Sequence, residues 1–495
     1  MTAVQAGSVQ TERRGRYGEI AVLAVLALVT FAVRAAWFGD PNADIDEQLY
    51  SLIGLEMTHG ALPYVDLWDR KPIGLFALFA LAHLIGGPGP VAYQVLAALF
   101  TVGGAWMTYR LARKLVDPIT AMGSGVLYVF LLSIYGSHSA QAEAFFLPMM
   151  LAMALLVIDP LHPRAVQRSL VAMLIGGIAL QVKYTVLPQC IFFGLWALWG
   201  QFRMGKQGSA LVGQAVSFAA LGILPTFLIG LAYGVAGHWD AFAFANFVSF
   251  FERLPAESGR IASGHLAFLL PVFGLLALGF YAAFRLSPPR DQRNYRFFVL
   301  WLVATVCTIY LPATVYLYYY ASLAPVVALT SLPILDRKGA IGPIPLMLAL
   351  IAFGYLQFLP GKYEKADEHR EKMTSLAAAI KPRLSENNCL YIFDGPTALY
   401  RMSASCLPTR FIYPDHLNNA FERNSLGVSQ MGEVARILSN RPPVIVTADT
   451  AFTPQNEEAK ALVWTTVKHD YVEIAMEELH KRKIRVWARR DTAPH

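Results

Sequence analysis

Charge is what this sequence has least of. Only 15% of its 495 residues are charged and 55% are hydrophobic, whereas about a quarter of a soluble domain is charged. Mean hydropathy is +0.43. This shortage excludes an ordinary soluble protein and points to a polytopic membrane protein. Cysteine is scarce too, with four residues and no Cys/His cluster at zinc spacing. No glycine-rich phosphate loop follows the first strand-like segment of the tail, which disfavours a nucleotide site. No nucleophile elbow is present either.

Composition breaks near Pro360. Residues 1–359 carry recurring apolar runs with 22 Lys+Arg and 17 Asp+Glu, whereas residues 360–495 carry 19 and 17 and are soluble in character. The tail is nearly neutral, so the pI near 9.1 reflects basic loops flanking membrane spans, not a nucleic-acid surface. Two domains are expected: 1–359 in the membrane, and 360–495 as a small α/β domain outside it.

Arg13, Arg14 and Arg16 precede an apolar run of about twenty residues without a small-x-small cleavage site, which predicts a retained first span over 17–38. The segment Ile73 to Gly87 makes about 22 Å of helix, short of a hydrocarbon core of about 30 Å, and is assigned to the interface. Ten further spans follow: 91–111, 118–135, 144–158, 170–187, 188–199, 210–236, 266–284, 297–312, 321–335 and 344–358. This parity puts sixteen Lys/Arg on the inner side. Outside, before the tail, it leaves Arg70, Lys71, Arg253 and Arg260, with Lys183 near the end of the fifth span. Making the 73–87 helix span would reverse every later basic loop. The expected topology is eleven spans, N-terminus inside and C-terminal domain outside.

In the tail, residues 389–394, 409–413, 443–447 and 484–487 read as strands, with a short helix between the first two and a helix over Tyr471 to Leu479. No catalytic part is assigned to this domain, which reads mainly as scaffold. Cys389 and Cys406 lie where oxidation permits a bridge, and the sequence leaves that pairing open. Cys190 and Cys307 read as packing residues in spans.

Seven of the seventeen acids before residue 360 fall between 40 and 72: Asp40, Asp44, Asp46, Glu47, Glu56, Asp66 and Asp69. Charge so concentrated beside a membrane is costly unless used or solvated, and this loop is the expected active site. Asp44 and Glu47 also fit a capping box for a helix over 48–58, with Leu49, Leu52, Ile53 and Leu55 as a membrane-facing stripe. Asp46 is left over, the carboxylate to accept a proton from an incoming hydroxyl. Lys71, before Pro72, is a cation at headgroup depth, where the competing reading is a snorkelling lysine. Glu143 is expected on the same outer face and could meet Asp46. Lys183, in an apolar run, is a candidate because buried charge in a span is costly. Tyr316, Tyr318, Tyr319 and Tyr320 mark the outer interface. Residues 237–260, rich in Trp and Phe, form a second amphipathic outer segment that could border a lipid-chain groove. Asp44-x-Asp46 is a weak divalent-cation pattern.

Asp46-Glu47-x-x-Tyr50, Glu56-Met57, Gly60, Pro63-Tyr64 and Lys71-Pro72 resemble the GT-C glycosyltransferases that use polyprenyl-phosphate sugars. These include protein O-mannosyltransferases, lipid A aminoarabinose transferases and Rgt-type lipopolysaccharide galacturonosyltransferases. Arg110-Leu-Ala-Arg-Lys114 looks like the family's basic end of span two, and Tyr318-Tyr319 before Pro325 like its His-Tyr…Pro element with His replaced. The resemblance implies a GT-C transmembrane domain with outer interfacial helices. It implies Asp46 as the base or acceptor-positioning group and Glu143 in the place of a second acid; Asp44 and Glu47, beside Asp46 in the same loop, join them as catalytic candidates. It also implies Lys71 on the donor phosphate; Tyr50, Tyr318 and Tyr319 of the matching motifs, and separately the buried Lys183, complete the substrate-binding candidates. The expected activity is sugar transfer, with inversion, from a polyprenyl phosphate to a hydroxyl on an envelope glycolipid or polysaccharide at the periplasmic face of a bacterial inner membrane. A protein acceptor and a lipid-linked-sugar flippase are the competing readings. A flippase predicts ionisable groups at mid-membrane depth in several spans.

Overall fold

The computed structural model describes residues 3–254, 264–312 and 314–492. Arg260 and the side chains of Arg13, Arg14 and Arg16 lie outside the described residues. The chain opens on helix α1 (Ala3–Arg34). The acidic loop then leads into α2 (Ile45–Thr58) and α3 (Ile73–Gly86). Six long helices follow: α4 (Pro90–Ala112), α5 (Pro118–Ile134), α6 (Ala142–Val157), α7 (Ala165–Leu180), α8 (Leu187–Arg203) and α9 (Ser209–Val235). Past the outer segment come helices His265–Tyr281, Gln292–Tyr310, Leu323–Thr330 and Ile344–Gln357.

Among the described residues, five helical stretches are long and apolar enough to cross a membrane: Gly18–Trp37, Pro90–Ala112, Ser209–Val235, His265–Leu286 and Ile344–Arg383. Shorter apolar helices, α3, α5, α6 and α7 among them, pack between these. Large apolar side chains such as Leu28, Val235, Phe284 and Ile351 remain exposed, as lipid-facing residues do in a multi-pass membrane protein. With 14 residues, α3 reaches only about 21 Å.

Two expectations here are corrected. The stripe of α2 does not face lipid: Leu49, Leu52 and Ile53 are buried, because α3 folds back over it. Gly54 permits this approach, since a Cβ there would lie 2.7 Å from Phe79 Cβ. The fifth span does not run to 187. It ends at Leu180, and Lys183 follows in extended backbone, φ −156° and ψ 120°. Gly74 at the start of α3 packs on that exit so closely that a Cβ would come 2.7 Å from Gln181 O. The amide of Leu75 donates to the same oxygen at 3.0 Å. This contact sets Lys71 and Lys183 at one end of the bundle.

The C-terminal domain holds a four-stranded sheet in the order β1-β2-β4-β3. β1 (Tyr391–Ile392) runs parallel to β2 (Val444–Ala448), and β4 (Arg482–Arg489) runs antiparallel to both β2 and β3 (Tyr471–Leu479). Two expectations for this domain are also corrected: β3 is a strand where a helix is expected, and 409–413 is not a strand. Residues 409–413 are instead irregular chain leading into the short helix Pro414–Asn418. β3 joins β4 through His480–Lys481, both at positive φ (52° and 61°), the backbone of a tight two-residue hairpin turn. That turn lacks the Asn-Gly signature, and a register shift between Glu473 and Ala475 breaks the alternation. Cys389 and Cys406 are bridged.

Candidate active site

The acidic loop is where the helical bundle meets the C-terminal region that carries the sheet. Asp40 Oδ2 lies 2.9 Å from His369 Nδ1, Asn42 Nδ2 lies 3.1 Å from His480 Nε2, and the amide of Ala398 donates to Gln48 Oε1 at 3.0 Å. Farther along, Trp68 N donates to Arg410 O at 2.9 Å. Arg70 and Arg253 both pair with Glu422. Burial works against the Glu422 charge, yet these two cations hold its carboxyl down at about 2.

Between the domains lies a cavity of about 470 Å³, within the usual size of a small-ligand site. The membrane side contributes Asp44, Asp46, Asp69, Lys71, Lys183, Arg253 and Tyr316, Tyr318 and Tyr319. The opposite wall contributes Asp394, Tyr413, Asp415, Phe452, His480 and Arg482. The second wall had no signal in the sequence, because its members are scattered single residues in the domain read as scaffold.

Hydrogen bonding separates the acids of the loop. Asp44 is the N-cap of α2, its Oδ1 accepting from Asp46 N at 2.9 Å and Glu47 N at 3.3 Å, and from Gln141 Nε2 at 2.9 Å. Burial, and then Asp46 and Glu47, raise its carboxyl well above the usual range. Glu47 does not complete a capping box. Fully buried and outside the cavity lining, it accepts from Gln94 Nε2 at 3.1 Å and Ala140 N at 2.8 Å, and burial lifts it to about 7. Asp69 accepts from Lys71 N at 2.7 Å and lies 3.3 Å from His416 Nε2. Burial opposes its charge, but Lys71 and His416 outweigh burial and hold it well below the usual range.

Asp46 differs from these in receiving only side-chain donors: Tyr50 Oη and Gln141 Nε2 on Oδ2, and Tyr413 Oη on Oδ1, each at 3.3 Å. Loose contacts of that length orient a carboxylate and leave it open to a further partner. Tyr50 itself is buried behind it. Lys71 Nζ sits 5.4 Å from the Tyr50 ring centre and makes no ion pair among the described residues.

Glu143, fully buried, is the partner of Lys183, and Gln141 of the same turn reaches the acidic loop. Lys183 Nζ also lies 4.0 Å from the Tyr319 ring centre and 5.4 Å from that of Tyr318, a favourable arrangement for a desolvated cation. Arg253 Nη2 donates to Tyr316 Oη at 2.8 Å. No group of three or more His, Cys, Asp or Glu placed to hold a metal occurs among the described residues; in the D-x-D pair, Asp44 Oδ1 caps α2.

A helical bundle, an acidic loop leading into two short helices, and a small sheet-bearing region closing a cavity over them are arranged as in the fold of ArnT. A family model described as dolichyl-phosphate-mannose-protein mannosyltransferase matches residues 70–229. ArnT from Cupriavidus metallidurans bound to undecaprenyl phosphate is similar at 14% identity and TM-score 0.63, covering 96% of this chain and 99% of that one. Its apo state gives 13% and 0.60, covering 96% and 98%. The archaeal oligosaccharyltransferase AglB from Archaeoglobus fulgidus, in complex with an inhibitory peptide and a dolichol-phosphate, gives 11% and 0.53, covering 97% and 75%. No curated protein matches the chain.

Proposed function

We propose that this protein is an integral-membrane glycosyltransferase that moves a sugar from a polyprenyl phosphate to an acceptor hydroxyl. The observation that carries this reading is one cavity with Asp46 open on one side and the cations Lys71, Lys183 and Arg253 gathered around it. The relatives bound to undecaprenyl phosphate or dolichol-phosphate support the donor class.

In this mechanism Asp46 takes the proton of the acceptor hydroxyl as its oxygen attacks the anomeric carbon. The bond from that carbon to the phosphate oxygen breaks, and the lipid phosphate leaves with the electron pair. Lys71 and Arg253 neutralise the charge that develops on it, the role that preorganised cations fill best in a water-poor site. A single carboxylate with direct displacement gives inversion. The acceptor enters between the domains and is an envelope glycolipid or polysaccharide. The bundle crosses the membrane eleven times, with the C-terminal domain periplasmic in a bacterial inner membrane. The ionisable groups of the site gather at one end of the bundle, which favours surface chemistry over a flippase.

The test compares, by mass spectrometry, envelope glycolipids and glycoproteins of cells expressing wild type or Asp46→Asn at matched protein levels. Loss of one defined sugar, with transfer reduced about 10²–10⁴-fold, is expected. An unchanged profile beside an active wild type would remove Asp46 from the chemistry.

A further inference from the structure

A second cavity, of about 420 Å³, opens at the other end of the bundle. Near the start of α4, Gln94 holds Glu47 and the Asp40 carbonyl beside the candidate active site. Arg110, sixteen residues on, is therefore about 24 Å farther along the axis. There the end of α4, the end of α6 and the start of α7 enclose a pocket lined by Arg110, Arg113, Lys114, Arg168, Trp106 and the Leu155-Leu156 pair.

Four cations converge on this pocket, and none makes an ion pair among the described residues. The two acids nearest in sequence are engaged elsewhere, Asp117 by Arg337 at 2.8 Å and Asp159 by Arg293 at 3.6 Å. Two of the guanidinium groups are held in place by main-chain carbonyls: Arg113 Nη1 donates to Val116 O at 2.8 Å and Arg168 Nη2 to Leu155 O at 2.6 Å. Arg110 lies over Trp106 at 5.8 Å. Ordinary basic flanks of membrane spans need no concavity. Here like charges are fixed around one, which costs energy unless an anion joins them.

We propose that this pocket binds the phosphate headgroup of an anionic phospholipid, with an acyl chain along Leu155, Leu156 and Trp106. Basic pockets between membrane helices suit such headgroups. The apolar wall and the interfacial tryptophan favour a lipid over free phosphate. This site is separate from the candidate active site and does not depend on the transfer reaction.

The test uses the full chain in detergent, with native mass spectrometry counting bound phosphatidylglycerol against phosphatidylcholine. One phosphatidylglycerol retained in preference is expected. Arg110→Gln with Arg168→Gln should weaken it about thirtyfold, at roughly fivefold per cation beside a lipid surface. Arg285→Gln with Arg290→Gln removes the same charge from another basic loop and should leave retention unchanged. Equal loss in the two double variants would show diffuse attraction and overturn the site, as would equal retention of the two lipids. Displacement of phosphatidylglycerol by equimolar inorganic phosphate would assign the pocket to the free anion and overturn the lipid reading. Should the first pair unfold the protein, Arg110→Lys with Arg168→Lys keeps the charge, and lost preference in that folded variant would equally overturn the proposal.

Discussion

Lys183 and Glu143 illustrate what a buried pair means at the scale of single residues. Both are excluded from solvent almost completely, with side-chain exposures of 9% and 0%. Removing one partner strands a charge, which costs about 3–5 kcal/mol, whereas replacing both with apolar groups of similar volume is often neutral. Glu143→Gln should therefore lower the unfolding temperature in detergent sharply. Glu143→Leu with Lys183→Met should restore most of it without restoring sugar transfer, because Lys183 also lines the cavity. Recovery of both properties would make Lys183 structural only. Among the sequence candidates, Asp44, Asp46, Lys71, Lys183, Tyr318 and Tyr319 line the cavity, while Glu47, Tyr50 and Glu143 stand behind it. Scarcity of charge finds all of the acids and lysines among them alike. It cannot tell which way an acid points, since that depends on Gln94, Gln141 and Tyr413 arriving as donors.

Among the elements, the α2–α3 hairpin is the one whose packing sets the site. Gly54→Ala would place a methyl 2.7 Å from Phe79 Cβ and 2.8 Å from Ala80 N. Overpacking of that kind costs about 1–3 kcal/mol. Gly103 sits inside α4 where a methyl would meet open space, with nothing within 4 Å, so Gly103→Ala should instead stabilise by about 0.5–1 kcal/mol. Thermal unfolding of the two variants in one detergent checks the opposite signs. If both shift the same way, the close approach of α2 to α3 is not what limits that position. Most apolar helices were legible from hydropathy, because lipid-facing sides are apolar by necessity, although the end of α7 was misplaced by seven residues. The strand β3 was not legible, because its acids mimic an amphipathic helix and the turn into β4 has no glycine, whereas β4 itself was read as a strand.

For the whole molecule, the joint between bundle and C-terminal domain decides whether a cavity exists at all. Glu422 is its ionic centre, gripped by Arg70 and Arg253. Its carboxyl is lowered from 4.5 to about 2, worth roughly 3 kcal/mol at neutral pH by linkage. Because the folded value is the depressed one, this stabilisation is present above pH 4.5 and is lost as pH falls through about 2. Glu422→Gln should therefore unfold at lower temperature than wild type at about pH 7, and the gap should close as the pH approaches 2. A gap that does not change with pH would show that charge at Glu422 does not hold the joint.

The sequence by itself determined the multi-pass membrane character of the chain, most of its apolar helices, and the loop between residues 40 and 72 as the place to look for chemistry. Those properties are local: hydropathy accumulates over neighbouring residues, and a carboxylate beside lipid stands out wherever it lies. Only the tertiary structure decided which acids of the loop line the cavity and that the C-terminal region supplies the opposite wall. His369, Tyr413, His416 and Glu422 reach the acidic loop from more than three hundred residues away. Donor and acceptor contacts of that range have no period or composition to betray them, and they exist only once the two domains have closed on each other.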